Sequence, residues 1–442
     1  MIQYPIKVDP SSPFPIENIP FGIFSINDKS TRHVGTIIGG YVIDVKLLAE
    51  HEAFNGTDAA DLAAINAAVS SDTLNLLASL PYASRSFVRE RIIHLLTEPG
   101  SVLFTNSNLN KNAFIHAEKV KMHLPIEVHS FTDFMCSETH LENVNIPSIT
   151  GNTMASFFAF PTAYNGRTTS IIPSGDPILR PKGMLRQPIP DGPPAYSFSA
   201  STRFDFELEM GVIVSGKIPR GQIITADQAT ELIFGFVLLN DWSARDIQFA
   251  EMTGMGPYNG KAMATTISPW VVFPQALEES QCELTSKKSR AIMPSHPDHL
   301  RHRMADGRVT WNVELQALIA NRNGPSTIVC KSNLRDLYWT PGQMLAHMTS
   351  SGSGAVAGDL FGSGTVSSPG HTAENPTLGC LFELTDGGKT PLRLKDGREI
   401  VWLEDYDEVI LTGWATGKGG KRIGFGEARG MLMPTDWLVP DK

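Results

Sequence analysis

The segment Phe204–Met210 reads Phe-Asp-Phe-Glu-Leu-Glu-Met, with apolar and acidic residues in strict alternation. As a β-strand it places Asp205, Glu207 and Glu209 on one face and Phe204, Phe206, Leu208 and Met210 on the other. Taken alone, the pattern describes an edge strand whose acidic face is solvated. Its continuation, Gly211-Val-Ile-Val214, runs inward as apolar residues and favours burial instead. Carboxylates buried without partners are costly, so a buried strand of this kind needs a cation. Ligation by oxygen alone selects a hard one, Mg²⁺ or Ca²⁺.

A chain of 442 residues is long enough for a large core and two domains. Its 41% hydrophobic and 19% charged residues are those of an ordinary globular protein. The net charge of −9 argues against a nucleic-acid partner and against an anionic membrane surface. The most conspicuous apolar run, Leu232–Leu239, has the length of a strand rather than of a membrane span. The first residues lack the charged and apolar regions of a signal peptide. Cys136, Cys282, Cys330 and Cys380 are scattered and form no Cys-x-x-Cys pair, which suits a reducing cytoplasm and carries no zinc signal.

Along the chain, the Pro-rich first 30 or so residues suit an extended docking segment. Val34–Val45 reads as two short strands about Gly39-Gly40, and helical periodicity follows over Asp58–Leu80 and Ser84–Leu96. This predicts a small N-terminal domain over residues 1–118, without catalytic clusters. From 119 to 442 the character changes to short β-runs broken by Gly and Pro, among them Val237–Asn240, Val309–Ile319, Gly364–Val366, Gly379–Leu384 and Glu408–Trp414. Helices are expected at Thr225–Ile233 and after Thr340-Pro341, where Thr caps and Pro opens the first turn. The fold class is therefore α+β, mainly β, with a sandwich or rolled sheet in the larger part. His296, His299 and His302 have a spacing that metals use, but no strand or helix pattern fixes them, and a solvated loop is the expected setting.

Several further stretches carry chemistry. Asp133 and His140 flank Phe-Met-Cys-Ser-Glu-Thr. Asn240-Asp-Trp-Ser-Ala-Arg-Asp-Ile-Gln248 closes an apolar strand and sets Asp241, Arg245 and Gln248 at a strand-to-helix corner, where Asp241 or Ser243 could alternatively serve as a helix cap. Gly256-Pro-Tyr-Asn-Gly-Lys261 places a lysine after a turn. Gly358-Asp-Leu-Phe-Gly-Ser-Gly-Thr365 is glycine-rich but lacks the ending of a phosphate loop, and Gly352-Ser-Gly follows a helix where a dinucleotide fingerprint would need a strand.

Taken with Tyr164-Asn-Gly-Arg167, Thr265-Thr-Ile-Ser-Pro-Trp270, Phe14-Pro-Ile-Glu-Asn-Ile-Pro-Phe-Gly-Ile-Phe-Ser25 and Gly424-Phe-Gly426, these motifs resemble the fumarylacetoacetase family in the same order along nearly the whole chain. The resemblance implies an SH3-like N-terminal domain, a C-terminal mixed β-sandwich roll, a homodimer, and hydrolysis of a carbon–carbon bond in a small β-diketone substrate. It implies Ca²⁺/Mg²⁺ ligands at Asp133, Glu207, Glu209 and Asp241, with Lys261 and Thr265 supporting the metal site. It further implies a general base at His140 oriented by Glu383, leaving-group stabilisation by Arg245, Gln248 and Lys261, and substrate contacts at Tyr164 and Thr365. Where the family grips an acidic substrate with two tyrosines and an arginine, this chain has Met135, Met252 and Ile149. The substrate expected is thus fumarylacetoacetate or a less acidic diketone. Related enzymes that decarboxylate or isomerise through a metal-bound enolate are the alternative, and an inactive structural paralogue is a third reading. A base with its orienting acid favours hydrolysis, and a complete set of buried acids argues against a mere scaffold.

Overall fold

A computed structural model of the chain describes residues 2–26, 31–144, 153–187, 189–190, 192–252, 254–285, 296–322 and 324–437. Its centre is a seven-stranded sheet in the order Thr162–Asn165, Phe131–Met135, Leu360–Gly362, Leu208–Val214, Ile233–Asp241, Thr265–Ile267, Ile171–Pro173. The acidic segment therefore feeds the middle strand of the sheet and not an edge. Leu208–Val214 pairs antiparallel with Ile233–Asp241 on one side and with Leu360–Gly362 on the other.

Alternation along these strands builds two cores. Leu208, Met210 and Val212, with Phe236 and Leu238, face a five-stranded sheet and pack on Val313, Leu315, Leu411 and Phe425. The opposite face, carrying Ile213, Val237, Leu239 and Ile267, packs on Phe21, Ile23, Leu48 and Ile92 of the N-terminal part. Cover on both faces explains why all of Ile233–Asp241 is buried and why its sequence is almost continuously apolar. The N-terminal part is a five-stranded antiparallel sheet with helices against it. Its first strand, Phe21–Ile26, belongs to the stretch expected to be an extended docking segment, and its last, Val120–His123, pairs with that first strand.

Local signals placed some helices but not Ser107–Ala113, Glu138–Asn143 or Thr153–Ala159, and the stretch Asp58–Leu80 holds two, Ala59–Val69 and Asn75–Ser79. Tyr82–Thr97 matches the second periodic stretch, and both Ala226–Glu231 and Pro341–Met348 open with reciprocal capping boxes, Thr225 with Gln228 and Thr340 with Gln343. Several expected strands differ, the acidic one among them, which breaks between Phe204–Asp205 and Leu208–Val214. Gly379–Leu384 holds a helical turn, Leu381–Leu384, and the glycine-rich loop contributes Leu360–Gly362 in place of Gly364–Val366. Gly364 has φ +73, and a Cβ there would stand 2.1 Å from the Phe134 carbonyl oxygen, so the chain leaves the sheet at that point. The histidine loop is less solvated than expected: His302 bonds Asp227 at 2.7 Å and Thr340 at 2.8 Å across its two ring nitrogens. Among the described residues no helix is long and apolar enough to cross a membrane.

Candidate active site

Asp133, Glu209 and Asp241 come from three strands of the central sheet and point from the face that also carries Phe131, Ile213 and Leu239. Glu207 joins them from the break between Phe204–Asp205 and Leu208–Val214, where its backbone N–H donates to the Asn240 side chain. Ligand oxygens of Asp133, Glu207, Glu209 and Asp241 all lie within 4.8 Å of one another, and all four residues are buried. Lys261 donates to Glu207 and, at 2.7 Å, to Asp241. Thr265 and Tyr164 donate to the two oxygens of Asp241 at 2.9 and 3.0 Å. Arg245 pairs with Glu207 at 2.8 Å.

The charge in this cluster is unevenly matched. Burial would push Glu207 up, but Lys261 and Arg245 hold it well below the ordinary carboxylate range. Burial lifts Asp133 and Glu209 well above that range, and their acidic neighbours lift them further. Asp133 Oδ1 and Glu209 Oε1 are also buried without a hydrogen-bond donor. Between the two stands Gly362, where a Cβ would come 2.5 Å from Glu209 and 3.1 Å from Asp133. Orphaned carboxylate oxygens around a gap kept free of side chain fit a hard divalent cation, and the four acids are grouped to hold a metal ion.

His140 sits on the short helix Glu138–Asn143, capped by Ser137. Its Nδ1 lies 2.8 Å from Glu383 Oε2. Glu383 also accepts from Ser367 at 2.7 Å and from Asn143 at 3.1 Å. Burial opposes ionisation of Glu383, but the charge and hydrogen bond of His140, with those of Ser367 and Asn143, hold it below its usual value. A carboxylate only accepts, so the ring proton belongs on Nδ1 and Nε2 keeps its lone pair.

The His140–Glu383 pair and the acidic cluster open on one cavity of about 290 Å³, which His140, Asp133, Glu207, Arg245, Gln248 and Lys261 all line. Tyr164, Thr365, Met135 and Met252 line it too, so of the expected site residues only Glu209, Asp241, Thr265 and Glu383 stand behind its wall. Ile149 falls outside the described residues. Asp241 caps no helix: the helix Arg245–Glu251 has Ala244 at its N-cap, with no side-chain cap. The lysine loop is held by Glu251, whose carboxylate accepts the backbone N–H of Tyr258, Asn259 and Gly260 at 2.8 to 3.0 Å. Sequence reading missed Glu251, Ser367 and Asn143, since each acts on a partner that only folding brings near. Asp205 was placed with the other acids, but it turns away from them to Arg245.

Comparison with known proteins agrees with this geometry. Residues 17–125 match the family model "Fumarylacetoacetase N-terminal", and residues 129–425 match "Fumarylacetoacetate (FAA) hydrolase C-terminal". The chain is 38% identical over 436 residues to a fumarylacetoacetase of Caenorhabditis elegans, covering 98% of this chain and 99% of that protein. It is 35% identical to the Homo sapiens fumarylacetoacetase, covering 98% and 99%, and 35% identical to that of Emericella nidulans, covering 97% and 98%. A solved fumarylacetoacetate hydrolase from Exiguobacterium antarcticum shares the fold, with a TM-score of 0.50 over 94% of this chain and 99% of that one at 15% identity. The chain is an enzyme of the fumarylacetoacetase family.

Proposed function

We propose that this chain hydrolyses a carbon–carbon bond of a β-diketo acid, either fumarylacetoacetate or an analogue with a less acidic distal arm. One observation carries the reading: a buried His–Glu pair and a four-carboxylate cluster face the same cavity. A divalent cation held by Asp133, Glu207, Glu209 and Asp241, Mg²⁺ or Ca²⁺ by its oxygen ligands, would polarise the carbonyl oxygens of a 1,3-diketone. His140 Nε2 takes a proton from water as the oxygen adds to the carbonyl carbon, and Glu383 steadies the imidazolium through Nδ1. The carbon–carbon bond then breaks and its electron pair leaves as an enolate. Arg245, the amide N–H of Gln248 and Lys261 supply fixed donors for that charge, and a proton returns to carbon. The His140–Glu383 pair favours this hydrolysis over isomerisation, which needs no activated water.

The distal wall bears on the substrate. Arg245 and Lys261 are the cations other than histidine among the described cavity-lining residues, and both are already paired with carboxylates. Met135, Met252, Phe249 and Leu141 supply apolar parts of the wall. An arm without a terminal carboxylate suits such a wall, since an unpaired buried carboxylate is costly. Catalytic efficiencies on fumarylacetoacetate and on a diketo acid with a neutral distal arm, with products identified by mass spectrometry, test both parts. Cleavage of neither compound would sink the function, and strong preference for the diacid would sink the specificity. We further propose a homodimer acting in the cytoplasm, in keeping with the unpaired state of all four cysteines.

A further inference from the structure

Asp205 is the one acid of the alternating strand left outside the metal cluster. It is fully buried. Its Oδ2 accepts from Arg245 Nε at 2.8 Å and from the Phe382 backbone N–H at 3.0 Å, with Arg245 Nη2 also 2.8 Å away. Its Oδ1 accepts from the backbone N–H groups of Leu381 at 2.7 Å and Phe206 at 2.8 Å. Leu381 and Phe382 open the turn Leu381–Leu384, whose own N-cap residue, Cys380, makes no side-chain cap. Asp205 therefore caps that turn from another strand. The same turn carries Glu383, the partner of His140, and sets the Phe382 ring 5.9 Å from the Arg245 guanidinium. One carboxylate thus holds Arg245 by its Nε edge, leaving Nη1 for Glu207 and Gln248, and seats the turn that orients the base.

We infer that Asp205 is a positioning residue joining the two halves of the reaction, fixing Arg245 for the departing enolate and Glu383 for His140 with the same carboxylate. The inference rests on the hydrolytic reading for its catalytic meaning, and on geometry alone for the joint. Every group around Asp205 is a donor, so asparagine cannot replace it. Whichever way the amide is turned, its NH₂ faces N–H groups and either Arg245 or the turn is released.

The test uses the full chain with Asp205→Asn, Arg245→Met and Glu383→Gln, singly and in pairs, at equal folded content by circular dichroism. Asp205→Asn should lower kcat by roughly 10²-fold with little change in KM. Its effect should be non-additive with both Arg245→Met and Glu383→Gln, by about tenfold or more in each cycle. Additivity with either partner overturns the inference. Should the asparagine variant not fold, Asp205→Glu enters the same cycles; it keeps the charge but its longer stem displaces both partners, and the same coupling is expected. A substrate-free measurement separates this from the hydrolytic reading. The His140 Nδ1 proton signal, assigned by its loss in His140→Gln, should broaden or vanish when Asp205 is replaced. An unchanged signal overturns the joint even if the enzyme is active, and a changed one sustains it even if fumarylacetoacetate is not the substrate.

Discussion

At the scale of single residues, His140 and Glu383 divide one task unequally. In the proposed mechanism His140 moves the proton, whereas Glu383 keeps the ring in the tautomer that can do so. His140→Ala should lower kcat by roughly two to four orders of magnitude while KM holds. Glu383→Gln should cost less, because its amide oxygen can still accept from Ser367 and from the His140 Nδ1 proton. Near-normal turnover by His140→Ala at neutral pH would show that another group activates water. Both roles rest on a resemblance of motifs; nothing local to either residue points to the other, since chain separation hides the 2.8 Å contact. Asp205 shows the converse. Its residue type and strand were plain from the alternation, but its target was not, because the strand breaks after it and releases it towards Arg245.

At the scale of elements, the metal cluster depends on register. Asp133 pairs across to Gly362, which pairs across to Gly211, two residues beyond Glu209. A methyl group at Gly362 would meet the carboxylate ends of Glu209 and Asp133, and not the backbone. Gly362→Ala is therefore expected to fold, with an unchanged circular dichroism spectrum, but to lose bound metal by elemental analysis. Gly364→Ala should instead destabilise, since its Cβ meets a backbone carbonyl at positive φ. Full metal content in Gly362→Ala would show that the cation does not sit between those two acids. The strand position of Glu209 was readable from periodicity, whereas Asp241, expected at a strand-to-helix corner, ends the strand Ile233–Asp241, and the pairing partners of both were hidden.

At the scale of the whole molecule, a cation held by four buried acids should couple to folding. Ligand that binds only the folded state stabilises by about 2.7 kcal/mol at a hundredfold excess over Kd. Chelator-treated protein should therefore melt lower, Mg²⁺ or Ca²⁺ should restore the melting temperature, and Glu207→Ala should abolish the rise. The ion giving the larger rise at equal concentration is the tighter ligand. No rise with either would count against the hard-cation assignment. Sedimentation of the same samples reads the assembly; a species of one chain mass would exclude the proposed homodimer.

What the sequence determined by itself is what short range can specify. The alternation set the faces of the strand from Leu208 onward, Thr225 and Thr340 set their helix starts through caps three residues long, and ordered motifs spanning the chain identified the family. What tertiary structure decided is where each face points. The acidic strand is central because a second sheet covers one of its faces and the N-terminal part covers the other. The Glu383 turn is helical because Asp205, from a distant strand, supplies its missing cap. Pairing, coverage and capping across such distances depend on contacts between segments, and no window of sequence contains both sides of them.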